Sequence, residues 1–468
     1  MTSGNEMFGR TRHVHFVGIG GIGMCGLAEL LHLQGVAVSG SDLQEGTTVE
    51  RLRSLGIEVA IGHDEANVGE ADVLVYSSAV RATNPELQCA KRRKIPVIPR
   101  AEMLAELMRL QQGIAIAGTH GKTTTASLVT HVLSATGLDP TAVIGGRVLG
   151  TGDPSTTRRG AGSWLVAEAD ESDGLFLQLA PVIAVITNID PEHMDHYGSE
   201  AALHQAFATF ANRIPFWGCA IVCLDHPGVQ AVLPTLTRRT TTYGTSPQAD
   251  WVASDIHAKG YSVRFEVTRR GQRLGPVTVP LVGEHNALNT LAAVAVADEL
   301  AVPFAQVAQA VGSFGGVERR FERKGTERGV TVVDDYGHHP VELRATLAAA
   351  RTVGDGRIVA VFQPHRYTRT RDLFDEFARA FHDADVLVLT EVYAAGEDKL
   401  PGVDSAALAS AVRAAGHRDV RFVAELEELP EALAPELRAG DLVITLGAGS
   451  VSSVGGRLLA ALARGEER

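Results

Sequence analysis

Short runs of β-branched and aliphatic residues recur along the chain, most of them followed by a segment long enough for a helix, a pattern that predicts parallel α/β layers. HVHFV at His13–Val17 reads as a first strand, with a Gly-rich turn and a helix over about Met24–Gln34 behind it. Val36–Ser39 and Val73–Ser77 read as further strands, and a helix is expected over Ala101–Leu110. A fresh start at Gln111–Gly113 sets a first boundary. Beyond it, Ile114–Ala117 predicts a strand, then a turn of phosphate-binding type, then a helix over about Thr124–Ala135. Trp164–Ala167, Val182–Thr187 and Ala220–Leu224 read as buried strands. Strict alternation near Val263–Val267 runs through ArgArgGlyGln into Val277–Leu281, which predicts an antiparallel hairpin on the sheet edge. Helices are expected over Asn286–Leu300 and Pro303–Val311. The polar stretch GGVERRFERKGTERG places a second boundary near Val317, and strands at Val330–Val333, Ile358–Phe362, Val386–Thr390 and Leu442–Leu446 follow it. The expected organisation is three α/β domains, over 1–110, 111–317 and 318–468.

Length supports that count, since 468 residues exceed one ordinary core and a domain takes roughly 150. Hydrophobic content of 45% against 21% charged residues is that of a globular chain. No apolar run approaches the roughly 20 residues needed to span a bilayer, so no membrane association is expected. The polar start MTSGNEMFGRTRH runs straight into a strand, which argues against a signal peptide. Cys25, Cys89, Cys219 and Cys223 are too scattered for a disulfide framework, and the pair in CAIVC reads as buried thiols. A net charge of −12 argues against a nucleic-acid groove. The balance points to small-molecule chemistry in a reducing cytoplasm.

Three motifs carry the chemistry. Gly18-Ile-Gly20-Gly21-Ile-Gly23 lies between a strand and a helix, where glycines let the backbone approach a diphosphate and the helix N-terminus favours its charge. Asp42, at the end of the second strand, stands where a ribose-binding carboxylate is expected. Alone, this pattern suggests a nicotinamide dehydrogenase. The second motif argues otherwise. Ala117-Gly118-Thr119-His120-Gly121-Lys122-Thr123-Thr124-Thr125 departs from the strict Walker pattern, whose first glycine would fall at Ile116. Its mechanics persist: backbone N–H groups cradle phosphates, Lys122 neutralises their oxygens and Thr123 can ligate Mg²⁺. Two strand ends then offer metal ligands, Glu168-Ala-Asp170-Glu171-Ser-Asp173 and Asp190-Pro-Glu-His193-Met-Asp195. The third motif is Asp335-Tyr336-Gly-His338-His339-Pro340 with Gln363-Pro-His365-Arg366-Tyr-Thr-Arg369, histidines and arginines able to hold a carboxylate or a transferring phosphoryl group. A nonenzymatic ATP-binding regulator would have no use for these acid- and histidine-rich strand ends.

GTHGKTTT, TNIDPEHMDHY, GEHNALNTLAA and ERRF followed by DDYGHHP occur in an order that closely resembles the Mur ligases of peptidoglycan synthesis, over nearly the whole chain. HFVGIGGIGM, VSGSD, YSSAV, IPVIPRAEML, EADESDGLF and QPHRYTRT resemble the branch whose substrates are UDP-N-acetylmuramate and L-alanine. A branch that attaches a recycled murein tripeptide to the same sugar nucleotide is the alternative. The resemblance implies a Rossmann-like N-terminal domain, a central P-loop ATPase-type domain with a mostly parallel sheet, and a Rossmann-like C-terminal domain that closes over ATP. It implies that Gly18, Gly20, Gly21, Gly23, Asp42, Ser77 and Ser78 hold the UDP-sugar. ATP would lie on Gly118, Thr119, His120, Gly121, Lys122, Thr123 and Thr124, with Asn286, Asn289, Arg320 and Asp335. Thr123 and Glu168 would hold one Mg²⁺, and His193 would help to hold a second. Tyr336, His338, Arg366 and Arg369 fall in the expected alanine pocket, with His338 the candidate general base. A monomer or weak homodimer is expected. Two departures stand out. No lysine occurs between Lys122 and Lys259, so the carbamylated lysine of several relatives has no counterpart there, and His204 lies in the helix where it would be sought. LGAGSVSSVG carries Ser450 where an acidic or amide residue is expected after the second glycine.

Overall fold

The computed structural model describes residues 8–77, 79–149 and 156–464. Its strands form three sheets. The first contains β1 (His13–Val17), β2 (Ala37–Asp42), β3 (Glu58–Ile61), β4 (Val73–Tyr76) and β5 (Val97–Pro99), in the order β3-β2-β1-β4-β5 and parallel throughout. Between these strands lie α1 (Ile22–Leu33), α2 (Thr47–Ser54) and α3 (Pro85–Arg93), and α4 (Arg100–Arg109) follows the last of them. The order reverses at β1, and an open α/β sheet binds its ligand in the crevice at such a reversal.

The second sheet runs through β6 (Gln112–Ala117), β7 (Thr141–Val143), β8 (Thr157–Arg158), β9 (Trp164–Glu168), β10 (Ile183–Ile186), β11 (Cys219–Cys223), β12 (Thr240–Gly244), β13 (Trp251–Lys259), β14 (Ser262–Arg269) and β15 (Gln272–Val279). Its order is β15-β14-β13-β12-β11-β10-β6-β9-β7-β8. β6 lies between β9 and β10, parallel to both, against the buried Leu165, Val166 and Ala167 of β9 and Ile183–Ile186 of β10. The expected hairpin is present at the opposite edge, where Arg270 (φ 46°) and Gly271 (φ 81°) make the two-residue turn.

The third sheet holds β16 (Glu322–Glu327), β17 (Val330–Asp335), β18 (Ile358–Phe362), β19 (Val386–Leu389), β20 (Val420–Phe422) and β21 (Leu442–Leu446), ordered β16-β17-β21-β18-β19-β20. β16 adds an element that the sequence reading lacks. Just beyond the expected boundary near Val317, Glu322–Glu327 of the polar stretch forms an antiparallel edge strand against β17, with a register shift between Arg323 and Gly325. Hydrophobic alternation is weak there because an edge strand carries charged side chains on its open face. Cys219 and Cys223 are buried free thiols, as expected. Among the described residues no helix is long and apolar enough to cross a membrane.

By compactness the chain divides in two. One unit comprises the residues up to Ser254, with Val267–Gly275 and Leu288–Phe314; the other comprises Asp255–Glu266, Pro276–Ala287 and the chain from Gly315 onward.

Candidate active site

In the first unit, β6 delivers the chain to the Gly118–Thr123 turn, the expected phosphate loop, and α5 (Lys122–Ala135) leaves it. The helix begins two residues before its expected start, which puts Lys122 and Thr123 in its first turn, where N–H groups and the helix dipole favour anions. Gly118 has φ 134°, and a Cβ there would stand 2.0 Å from Thr187 Oγ1. Only glycine permits that approach. The strand end after β10 clamps the loop from outside. Asn188 Oδ1 accepts from His120 N (2.7 Å), and Asn188 Nδ2 (2.9 Å) and Thr187 Oγ1 (2.7 Å) donate to His120 O. Gly121 leaves room for Asn289, whose Oδ1 accepts from Thr125 Oγ1 at 3.3 Å.

Lys122 Nζ contacts both carboxylate oxygens of Glu171 at 2.9 and 3.0 Å and donates to the carbonyls of Gly118 and Thr119. Burial pulls the Lys122 pKa down, but Glu171 and Asp170 outweigh it and the net shift is upward. The ammonium is therefore charged at the mouth of the loop. Thr123 Oγ1 donates to Glu168 Oε2 at 3.2 Å, while Glu168 Oε1 accepts from Gly145 N at 2.6 Å. His193, with φ 57°, lies with Glu171 and Glu192, and these three offer ligand atoms all within 4.8 Å of one another. Oxygen and imidazole donors so grouped fit a divalent cation, as does the Thr123–Glu168 pair. Glu171 and Glu192 both lie in the acidic strand ends that the sequence offers as metal ligands, and the fold groups them with His193. Glu171 is 1% exposed, and its burial beside Lys122 is the signal that spacing could not supply.

A second network flanks the loop. Asp190 takes His120 Nε2 at 3.3 Å on one oxygen and His226 Nε2 at 3.2 Å on the other. Its carboxyl is held well below the usual range by those two imidazoles. His226 had not been recognised from sequence, because the Asp-His-Pro where it sits resembles an ordinary turn.

The Gly18–Gly23 turn is built differently. Gly18 N and Ile19 N donate to Ser41 O, and Gly20 N donates to Asp42 Oδ2 at 2.8 Å. Asp42, expected to face a ribose, thus turns one oxygen onto the loop itself. Gly21 and Gly23 carry the turn into α1, and Ser77 N donates to Val17 O beside it. Ser78 lies outside the described residues.

Asn286, Arg320 and Asp335 belong to the second unit. Asn286 Nδ2 donates to Val282 O. Asp335 accepts from Phe321 N and Gly337 N, both at 2.8 Å, and burial pushes its carboxyl up while Arg320 opposes. Tyr336 lies beneath two guanidinium groups, Arg319 at 4.9 Å and Arg320 at 5.3 Å from the ring centre. From Tyr336 a series of rings runs through His338 (5.4 Å) and His365 (5.8 Å) to Tyr393 (5.5 Å, stacked). Arg369 Nη1 approaches His365 Nδ1 at 3.3 Å, and Arg366 N donates to Tyr393 O. Burial, then His338 and Arg369, push His365 down to about 3, so it is neutral at pH 7. The expected residues of this cluster are thus brought together, His365 among them, with Arg319 and Tyr393 added. In the Gly447–Ser450 turn, Gln363 supplies the amide that Ser450 lacks. Its Oε1 accepts from Val451 N at 3.0 Å and its Nε2 reaches Ser450 Oγ at 3.3 Å.

Comparison with known proteins gives these sites a family. The model of the Mur ligase family catalytic domain matches residues 13–112, that of the Mur ligase middle domain 116–297, and that of the Mur ligase glutamate ligase domain 319–449. The chain belongs to the Mur ligase family. It is 58% identical over 448 residues to the UDP-N-acetylmuramate–L-alanine ligase of Sorangium cellulosum (strain So ce56), across 95% of each chain. Identity to the protein of the same name from Anaeromyxobacter sp. (strain Fw109-5) is 57%, over 97% of this chain and 98% of that one. Among solved structures, a UDP-N-acetylmuramate-alanine ligase of Thermotoga maritima matches with a TM-score of 0.83 at 28% identity, over 97% of this chain and 100% of that one. A murein peptide ligase of Psychrobacter arcticus 273-4 shares the fold at TM-score 0.72 and 24% identity, over 96% and 98% of the two chains. Membership of the Mur ligase family accounts for the three α/β sheets and for the phosphate loop on the central one.

Proposed function

We propose that this chain joins L-alanine to the lactyl carboxylate of UDP-N-acetylmuramate, using ATP and passing through an acyl phosphate, to give UDP-N-acetylmuramoyl-L-alanine, ADP and phosphate. The observation that carries this reading is the 58% identity, across 95% of both chains, to a relative of that name. Residues 1–110 bind the sugar nucleotide, 111–317 bind ATP, and 318–468 supply the amino-acid pocket. The enzyme works in the cytoplasm as a monomer or weak homodimer.

The carboxylate oxygen attacks the γ-phosphorus of ATP, and the bond to the β-bridging oxygen breaks to release ADP. The amine of L-alanine then attacks the acyl carbon, and the tetrahedral intermediate collapses with loss of phosphate. The first step brings like charges together. Lys122 counters this by exchanging Glu171 for phosphate oxygens, with its loop carbonyl contacts keeping it aimed. Thr123 and Glu168 would hold one Mg²⁺, and His193 with Glu171 and Glu192 would hold a second. Bound there, Mg²⁺ would supply further neutralisation of the phosphates. Tyr336, His338, Arg366 and Arg369 receive L-alanine, Arg369 pairing with its carboxylate. His338 accepts the ammonium proton that must leave before the amine can attack.

Phosphate release from ATP and Mg²⁺, measured with UDP-N-acetylmuramate in the presence and absence of L-alanine, tests the reading. Release that needs both substrates, with one amide formed per phosphate, is the expected outcome. Release that needs a murein tripeptide in place of L-alanine would overturn the acceptor assignment.

A further inference from the structure

Arg100 opens α4, directly after the Pro99 that ends β5. Its side chain packs against Gly23 in the first turn of α1. A Cβ on Gly23 would meet Arg100 Nη1 at 2.8 Å, Cδ at 3.0 Å and Cζ at 3.1 Å. The glycine is therefore required for more than the turn: it makes the seat on which a planar cation rests, at the helix N-terminus that the glycine-rich loop leads into. Yet this cation has no acceptor of its own. Among the described residues Arg100 makes no hydrogen bond, and its nearest carboxylate is Asp170, with Nη2 and Oδ2 3.7 Å apart. That is an ion pair beyond hydrogen-bond reach. Elsewhere in the chain, arginines at comparable exposure close on their carboxylates; Arg357 reaches Asp441 at 2.7 and 3.0 Å. Arg100 is 30% exposed and Asp170 49%, so both are open to a ligand.

A guanidinium carries five donors in a fixed fork that matches phosphate oxygens. Here that fork stands beside backbone N–H groups and a helix dipole that also favour anions. We infer that Arg100 is a substrate-binding residue which takes the diphosphate of the sugar nucleotide in exchange for Asp170. The inference rests on the functional reading above and deepens it. Asp170 holds the guanidinium over the loop in the absence of substrate, and being loosely paired it competes only weakly. The exchange leaves Asp170 beside Glu171 and Lys122, at the place where the lactyl carboxylate must meet the γ-phosphate.

Titration calorimetry of the full-length protein with UDP-N-acetylmuramate, and separately with UDP, tests this. Arg100→Ala should weaken both ligands by roughly tenfold to a hundredfold, the range for a lost hydrogen bond to a charged group. Arg100→Lys, which keeps the charge without the fork, should fall between. Asp170→Asn should tighten both ligands by about twofold to fivefold, because the competing charge is gone. Affinity for a nonhydrolysable ATP analogue should stay within about twofold in Arg100→Ala, which also shows that the variant is folded. Unchanged binding in Arg100→Ala, or weakening in Asp170→Asn, would overturn the inference. Should Arg100→Ala fail to fold, the direction of the Asp170→Asn effect still decides. Failure of the wild-type protein to bind either ligand would instead overturn the functional reading, and this inference with it.

Discussion

Two glycine-rich turns in this protein each follow the first strand of a sheet and enter a helix, and they are equipped differently. The Gly18–Gly23 turn is held by backbone donors and by Asp42, which braces Gly20 from the end of β2. The Gly118–Thr123 turn is also braced from a neighbouring strand end, by Asn188, but it adds Lys122, a buried Glu171 and the Thr123–Glu168 pair. On the proposed reading the first holds a diphosphate that survives the reaction, for which backbone dipoles and the inferred Arg100 cation suffice. The second would handle a phosphoryl group in transfer, where charge develops that a fixed ammonium and metal-binding acids can meet. A strand, glycines and a helix describe a phosphate site, and the charged residues around it decide whether the site binds or transfers.

The comparison is broken most directly at Lys122. Lys122→Ala should lower alanine-dependent phosphate release by about a thousandfold, the scale of losing one preorganised group at a transferring centre. Calorimetric affinity for UDP-N-acetylmuramate should be unchanged. A matching loss of sugar-nucleotide affinity would mean that the two turns do not have separate tasks.

A glycine in each turn gives the next largest effect. Gly118→Ala forces a side chain onto φ 134° with its Cβ 2.0 Å from Thr187 Oγ1, and Thr187 is itself tied to the loop. We expect a loss of about 1–3 kcal/mol in denaturant unfolding, together with ATP binding. Gly23→Ala meets only the mobile end of Arg100 and occupies a helical position, so stability should change little while sugar-nucleotide affinity falls. Equal destabilisation of the two variants would show that the turns are equally strained.

The braces come next. Asn188→Ala removes both side-chain contacts to His120 and should raise the KM for ATP roughly tenfold, since each lost hydrogen bond costs about 0.5–1.5 kcal/mol. Asp42→Ala should do the same to the sugar nucleotide and leave ATP alone. Crossed effects would place the braces in one shared network.

Much of this contrast was legible in the sequence. The interior strands β6, β18 and β21 declare themselves because both faces are buried, which makes each a nearly continuous apolar run. The short β3, β7, β8 and β20 do not, since two to four residues carry too little pattern. Lys122, Thr123, Glu168 and His193 could be read from motif and position. Long-range partners could not. Nothing in the spacing says that Asp190 meets His226, 36 residues away, or that Arg100 lies on Gly23, because those contacts depend on which strand ends adjoin. His365 stood in a quoted motif, but its neutral state comes from burial and from the charges that surround it.

The smallest expected effect concerns acid, and it separates both turns from the ring cluster of the second unit. His365 has its pKa pushed down to about 3 in the folded protein, against an unfolded value of 6.5. The unfolded chain therefore binds a proton that the folded chain refuses, and stability rises with pH across that interval. This contribution is complete above pH 6.5 and is lost as pH falls from 6.5 toward 3. Asp190, beside the phosphate loop, is also shifted downward, but from an ordinary carboxylate value of 3.8, so its contribution is kept until pH falls below that value. Between pH 6.5 and 4, then, acid should loosen the His338–His365–Tyr393 cluster before it reaches the phosphate loop. His365→Gln should flatten the decline of Tm over that interval and leave the decline below pH 3.8 in place. An unaltered slope in His365→Gln would mean that the folded and unfolded chains take up this proton alike, and that the ring series does not hold the imidazole neutral.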